Sequence, residues 1–294
     1  MYIRNQYSIG RPAEVSGVAL FSSVPSTVRF LPAPPNTGIR FRRSDLPGSP
    51  EIPATVDWVV PCERRTALAK DGVRVELTEH ILAAIAGLQI DNLVVEVSAA
   101  ECPGCDGSSL AFVEVLIDAR PVDQGVPIRP LVVAHPLRVT SPDGRQVIDV
   151  SPSTESTCSM GYSLDYGPAS PIPAQYCGVT LCPDTFVRDL AFARTFALEA
   201  EAMALRSAGL ATHLTEADIV VFGKEGVIGN RLRASNECAR HKLLDCVGDF
   251  ALVGFPIYGA IEARRSGHRL NAEAARVLRR TFGRVLNDQK ARAA

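Results

Sequence analysis

The chain holds five histidines, His80, His135, His213, His241 and His268, and two of them stand beside carboxylates in patterns that can do chemistry. In RHKLLDCVGD, residues 240–249, His241 and Asp245 are four apart and Asp249 follows one turn later. On a helix these side chains share one face, while Leu243, Leu244 and Val247 form an apolar stripe. Read locally, the segment is either a solvated polar face or a pair of metal ligands at i and i+4 with a polar orienter behind them.

The second pattern is Glu79-His80 in LTEHILAAIAGL. The inverted zincin motif H-x-x-E-H would need a histidine at position 76, where the chain has Glu76, so His80 must find its co-ligands elsewhere. His241 and Asp245 can supply them. A His80/His241/Asp245 set leaves a fourth zinc position for water. Glu79, next to a ligand, is then placed to take that water's proton. His268, in RRSGHRLN, sits in a loop that presents an imidazole. It is either an ordinary loop residue or a general acid and cationic stabiliser of a developing oxyanion.

A third motif competes for attention. VVEVSAAECPGCDGSSLAFVEVLIDA reads as strand, then Cys102-Pro-Gly-Cys105, then helix, the order of a thioredoxin-like redox site. A lone C-x-x-C with no second pair does not complete a zinc site, and a local loop role is favoured. A thiol–disulfide or zinc-binding module centred on these cysteines stands as the rival from another function class. The chain has eight cysteines. With no secretory leader recognisable in MYIRNQYSIGRPAEVSG, reduced thiols are expected.

Elements must position these groups. STVRFLPAPPNTGIRFRR reads as two strands around a turn, LTEHILAAIAGL as a helix with Thr78 as N-cap, NLVVEV as a buried strand and SLAFVEVLIDA as a second helix. Residues 122–130, VDQGVPIRP, have the Pro and Gly content of a linker. Beyond them LRVTSPDGRQVIDV predicts a hairpin with an Asp-Gly turn. DTFVRDLAFARTFALEAEAMALRSAGL predicts one long helix or two, broken near Arg194-Thr195. ECARHKLLDCVGD is a further helix, PIYGAIEARRSGH strand and loop, and NAEAARVLRRTFGRVL a C-terminal helix with a basic, solvated outer face. EHILAAIAG and RHKLLDCVG echo each other, each placing a histidine seven residues before a glycine. The echo suggests two similar α+β units, residues 1–124 and 125–294, with an active site in the cleft between them. At 294 residues the length suits two modest domains. A net charge of −1 gives no electrostatic case for nucleic acid, and no stretch approaches a membrane span. The expectation is a soluble, cytoplasmic protein.

The segments PAPPNTGIRFRR, TEHILAAIAGLQIDNLVVEV, DGSSLAFV, ARTF, RSAGL, RHKLLDCVGD and SGHRLN, spread in order over nearly the whole chain, resemble the zinc-dependent UDP-3-O-acyl-N-acetylglucosamine deacetylases of lipid A synthesis. TEH-x3-A-x2-G-x3-DN together with RHK-x-LD-x2-GD is the specific part. The resemblance implies two α+β domains, each with helices packed on small sheets, and one zinc held by His80, His241 and Asp245. It implies Glu79 as general base, His268 as electrostatic or acid partner and Asp249 as the carboxylate bonded to that histidine. Thr195 would help hold the oxyanion, Lys242 would contact the substrate's polar headgroup, and Phe196 would line the substrate passage. The implied partner is an acylated UDP-sugar, whose acyl chain could bring a monomeric enzyme transiently to a membrane surface. A paralogue acting on another amidated sugar nucleotide is the rival within enzymes. Two places depart from the family pattern. A Leu-His-Ser-Gly turn is here LFSS, with Phe21 at the histidine, and a glycine-rich stretch is here ATHLTEAD, residues 211–218. The bulk and polarity of His213 and Glu216 in a passage wall predict a smaller gain per methylene of the acyl chain than the family norm.

Overall fold

The computed structural model describes residues 4–216 and 218–283. Its first half is built on β1 (Asn5–Ile9) and a five-stranded sheet in the order β2 (Ala13–Val18), β3 (Pro25–Pro32), β9 (Leu93–Val97), β4 (Ile39–Arg43), β5 (Glu51–Pro53). The two strands expected around the Pro-Pro-Asn-Thr-Gly turn are β3 and β4. They do not pair with each other: β9 lies between them, antiparallel to β3 and parallel to β4. β9 is the most buried of the sheet's sequences, with Leu93, Val95 and Val97 fully enclosed, and the centre of the sheet is where such a strand gains most. A small sheet of β6 (Val59–Val60), β7 (Ala67–Lys70) and β8 (Val73–Glu76) feeds directly into helix α1 (Glu79–Gly87), and α2 (Leu110–Asp118) follows β9. Thr78 precedes α1, but its hydroxyl donates to the Thr66 carbonyl at 3.3 Å and does not cap the helix.

The expected linker is a strand for most of its length. β10 (Pro121–Pro127) runs antiparallel to β1, so the boundary placed at 124/125 falls inside an element. Its prolines stand at the two ends, where a missing N–H is tolerated. The second half has a larger sheet in the order β12 (Leu137–Thr140), β13 (Val147–Ser151), β19 (Ile257–Arg264), β14 (Cys158–Leu164), β15 (Gln175–Thr180), with β11 (Leu131–Val132) also parallel to β19. The Asp-Gly hairpin is β12–β13, with Gly144 at φ 69° in its turn. The expected long helical run is two helices, α3 (Pro183–Asp189) and α4 (Glu199–Ser207), and the break holds a strand, β16 (Phe196–Leu198). β16 pairs with β17 (Val220–Gly223), which pairs with β18 (Gly226–Val227).

Helix α5 (Glu237–Ala251) and helix α6 (His268–Phe282) complete the described residues. The predicted C-terminal helix extended to Leu286, and residues 284–286 lie outside them. The basic face of α6 is only partly solvated: Arg279 pairs with Asp57 at 2.9 Å and Arg276 donates to the Val59 carbonyl, pinning α6 to the first half. α1 packs along α5. The glycines of the sequence echo are what make this possible on one side. A Cβ at Gly248 would stand 2.1 Å from the Glu79 carbonyl oxygen, so only glycine lets α5 come this close to the start of α1. At Gly87 a Cβ would run into the Phe186 ring of α3 at 2.2 Å.

Candidate metal centre and active site

The α1–α5 contact brings together the groups that lie 161 positions apart in the chain. His80 from α1 and His241 and Asp245 from α5 are buried and offer ligand atoms that all lie within 4.8 Å of one another. Asp245 Oδ1 is 3.6 Å from His80 Nε2 and 3.5 Å from His241 Nε2. The two imidazoles meet edge to face, with centroids 5.2 Å apart. The i, i+4 spacing on α5 therefore does what the sequence pattern required, and the solvated-face reading of this stripe fails on burial.

Whether these residues suit a cation can be tested on their hydrogen bonds. His241 Nδ1 lies 3.1 Å from the Ala193 carbonyl, which fixes the proton there and leaves Nε2 as a lone pair. Burial pushes His241 down to about 4, so the ring is neutral at ordinary pH. Asp245 is a carboxylate: burial works against its charge, but the adjoining Lys242 ammonium offsets this and the group stays well below the usual range. Lys242 Nζ donates to Asp245 Oδ2 at 2.7 Å. The other oxygen, Oδ1, is buried without a hydrogen-bond partner, as is His80 Nδ1. A buried acceptor that faces two imidazole nitrogens and accepts no hydrogen bond is satisfied by a cation. Donor separations near 3.5 Å also match ligands about 2.0–2.2 Å from one tetrahedral zinc. The residues fit the metal.

Around this trio stand the acid–base groups. Glu79 begins α1 and is almost wholly buried. Its Oε2 accepts the backbone N–H of Thr66 at 3.0 Å, and burial raises its carboxyl above the ordinary value. His268, at the first position of α6, points Nε2 towards Glu79 Oε1 and Asp245 Oδ2, each 3.9 Å away. Its Nδ1 lies 2.9 Å from Asp249 Oδ2. Burial opposes its charge, but Asp249 prevails and the imidazole is pushed up to about 9. Asp249 also accepts from Asn271 Nδ2 at 2.8 Å and from the Thr66 hydroxyl, so its orientation is fixed.

Above the trio opens a cavity of about 1850 Å³. Its lining has two chemical characters. Phe196 and Leu198 of β16, Leu205 of α4, Val221 of β17, and Leu214 and Ile219 from the segment between α4 and β17 make an apolar side. Arg145 from the β12–β13 turn, Arg265 before α6, and Arg269 and Arg276 on α6 make a charged one, shared with Asp143, Asp165 and Glu273, which pair with three of them. Thr195, His241, Lys242 and His268 line the cavity where it meets the trio. Phe196 stacks edge to face on His241, 6.0 Å away, and on Phe222. His80, His241, Asp245, Glu79, His268, Asp249, Thr195, Lys242 and Phe196 thus lie together. His213 and Glu216, on which the expectation of a weakened passage rests, do not line the cavity; Ala211, Leu214 and Thr215 do. Of the polar residues of this stretch, His213 and Glu216 stay outside the wall and Thr215 is part of it.

Sequence reasoning missed four supporting residues. Thr66 bridges Glu79 and Asp249, and Asn271 holds Asp249. The buried pair Arg194–Glu237, 2.9 Å apart, ties the Ala193–Thr195 segment to α5. The Cys102-Pro-Gly-Cys105 motif makes no centre. Both thiols are free, burial raises Cys102 well above its ordinary value, and burial pushes Cys105 up to about 11. Neither is the thiolate that redox exchange needs.

A buried His/His/Asp trio able to hold a metal, an adjacent carboxyl and a carboxylate-tethered histidine are the group types used in metal-assisted hydrolysis. Residues 6–280 match the family described as UDP-3-O-acyl N-acetylglycosamine deacetylase, and the chain belongs to that family. It is 37% identical over 271 residues to the UDP-3-O-acyl-N-acetylglucosamine deacetylase of Solibacter usitatus, covering 92% of this chain and 90% of that one. The proteins of the same name from Anaeromyxobacter sp. and Brucella melitensis are 36% and 34% identical, covering 92% and 93% of this chain and 88% and 94% of theirs.

Proposed function

We propose that this protein is a zinc-dependent amidohydrolase that removes the N-acetyl group of UDP-3-O-acyl-N-acetylglucosamine and releases acetate, the committed step of lipid A synthesis. The observation that carries the reading is Asp245 Oδ1, buried, unpartnered and facing both imidazoles beneath a cavity with one apolar and one charged, arginine-bearing side. An acylated nucleotide sugar has those two characters. His80, His241 and Asp245 would hold the metal. Bound there, zinc supplies Lewis acidity for the acetamide carbonyl and lowers the pKa of a water.

The chain's own groups do the rest. Glu79 Oε2 is committed to Thr66 N–H, so Oε1 receives the proton of the attacking water. His268 carries a proton on Nε2, because Asp249 holds the Nδ1 side and favours the charged ring. That N–H and the Thr195 hydroxyl stabilise the oxyanion of the tetrahedral centre. The departing amine takes a proton from the Glu79/His268 pair, whose facing atoms are 3.9 Å apart. Lys242 holds Asp245 and presents its remaining charge to the polar headgroup, and Phe196 forms the wall beside the acyl chain. In this reading the enzyme acts as a cytoplasmic monomer that meets a membrane surface only through its substrate. Among the described residues no helix is long and apolar enough to cross a membrane.

The test is acetate release from the acylated UDP-sugar by protein loaded with zinc, together with zinc stoichiometry. His241→Ala should lose bound zinc and activity together. Full zinc content in folded His241→Ala and His80→Ala variants would remove the basis of the reading. Equal turnover of a UDP-sugar with no acyl chain would favour the rival amide substrate.

A further inference from the structure

Helix α4 carries Leu205 and Glu201 on the cavity wall, yet none of its nine residues is buried. Its one apolar anchor is the half-buried Leu205, which packs against the core. Arg206 ties it to the following loop through the Leu214 carbonyl at 2.9 Å, and the remaining polar links come from the first half of the chain. Arg64, in the loop before β7, pairs with Glu201 at 3.1 Å. The second link joins the LFSS turn to the loop after α4. The Ala211 N–H donates to the Phe21 carbonyl at 2.9 Å, His213 Nδ1 lies 2.9 Å from Ser23 Oγ, and Thr212 Oγ1 lies 3.3 Å from the same hydroxyl. The turn itself is anchored: Glu101 accepts the N–H groups of Phe21 and Ser22 at 2.7 and 2.9 Å.

Ser23 makes this link at a cost. Its φ is 59°, the left-handed region where glycine is the residue without penalty. A glycine would relax the turn but would have no hydroxyl for Thr212 and His213. The two places where the chain departs from its family pattern therefore touch each other, and both border the cavity through Phe21, Ala211 and Leu214.

We propose that the Arg64–Glu201 and Ser23–His213 contacts form a latch that holds α4 and the loop 208–216 over the apolar side of the cavity, and that this latch sets how the enzyme discriminates acyl chains. The inference rests on the deacetylase reading for the identity of the chain it grips. Exposed polar links are individually weak and open locally far more often than a packed core. The trio, by contrast, sits on α1 and α5, which pack directly on each other. Opening the latch should loosen the acyl wall and leave the chemistry in place.

The experiment compares the full-length zinc enzyme with Ser23→Gly, Glu201→Gln and the double variant. Glu201→Gln keeps an oxygen for the Leu198 N–H that Glu201 now accepts, and removes the charge that Arg64 pairs with. Hydrogen exchange should speed up in residues 199–214 and stay unchanged in α5. KM for a long-acyl UDP-sugar should rise about 5-fold per link, the equivalent of at most about 1 kcal/mol each, with kcat retained. Ser23→Gly should do this with no fall in Tm, because it relieves a strained φ; a contact that was only structural would lower Tm. Unchanged exchange in the double variant overturns the latch, and faster exchange with unchanged long-acyl KM overturns its role in selectivity. No acetate release by the wild-type enzyme would sink the deacetylase reading and the acyl half of this one, whereas an active enzyme with an unresponsive α4 sinks the latch alone.

Discussion

Replacing Gly248 by Ala probes the contact on which the whole centre depends. The added Cβ would stand 2.1 Å from the Glu79 carbonyl oxygen, 2.8 Å from its carbonyl carbon and 3.0 Å from its Cα. All three are backbone atoms, so no side chain can rotate away, and α1 and α5 must part by about 1 Å to restore ordinary contact. Overpacking of this kind costs about 1–3 kcal/mol, a large share of the roughly 5–15 kcal/mol that holds a folded protein together. The geometric effect is more specific. Glu79 and His80 ride on α1, His241 and Asp245 on α5, so the separation directly widens the 3.6 Å gap between His80 and Asp245. A misplacement of about 1 Å costs on the order of 10²-fold in rate and weakens a metal site that needs fixed distances. The assay is Tm, zinc per chain and kcat/KM on one preparation. Gly87→Ala is the control: its Cβ meets the Phe186 ring, away from the trio, and should lower Tm while keeping zinc. Gly248→Ala protein with full zinc and kcat/KM within twofold of wild type would refute the claim that glycine sets the α1–α5 distance.

Three further outcomes are expected. Glu79→Gln should keep its zinc and lose about 10²–10⁴-fold in kcat, the range for a general base; wild-type turnover would send the search for the base elsewhere. Asp249→Asn removes the carboxylate that pushes His268 up to about 9. The protonated form then persists over a narrower range, and the basic limb of kcat/KM should move to lower pH; an unmoved limb would assign it to another group. Across substrates of increasing acyl length, kcat/KM should rise by about 0.8 kcal/mol per methylene until the apolar side is filled, because His213 and Glu216 lie outside its lining; a flat response to length would show that the cavity does not take the chain.

Much of the site was legible because its ligands obey local rules. His241, Asp245 and Asp249 are spaced by helical turns, Glu79 and His80 are neighbours at a helix start, and the matched glycines of the two segments marked both helices. The residues that went unread act only through tertiary contacts. Thr66 lies on the approach to β7 and reaches Asp249 across 183 positions of sequence, and no spacing rule encodes that. The same distinction explains the fold. The Asp-Gly hairpin is local and was readable. β10 has the Pro- and Gly-bearing composition of a linker, while the partner that makes it a strand, β1, lies at the other end of that half. β16 was read into a helix because strong helix formers flank it, and its pairing with β17 decides otherwise.

The two oxygens of Asp245 are assigned to different cations: Oδ2 to Lys242, Oδ1 to the shared space between the imidazoles. Lys242 therefore acts as a resident counter-ion. With or without a metal in the trio, the buried carboxylate has a charged partner at 2.7 Å. A zinc ion held by the trio would therefore satisfy Oδ1 without being the only charge that balances Asp245. Chelation should give a compact, inactive protein that regains activity on adding zinc back, with the loss of metal felt by the reaction and hardly at all by the core.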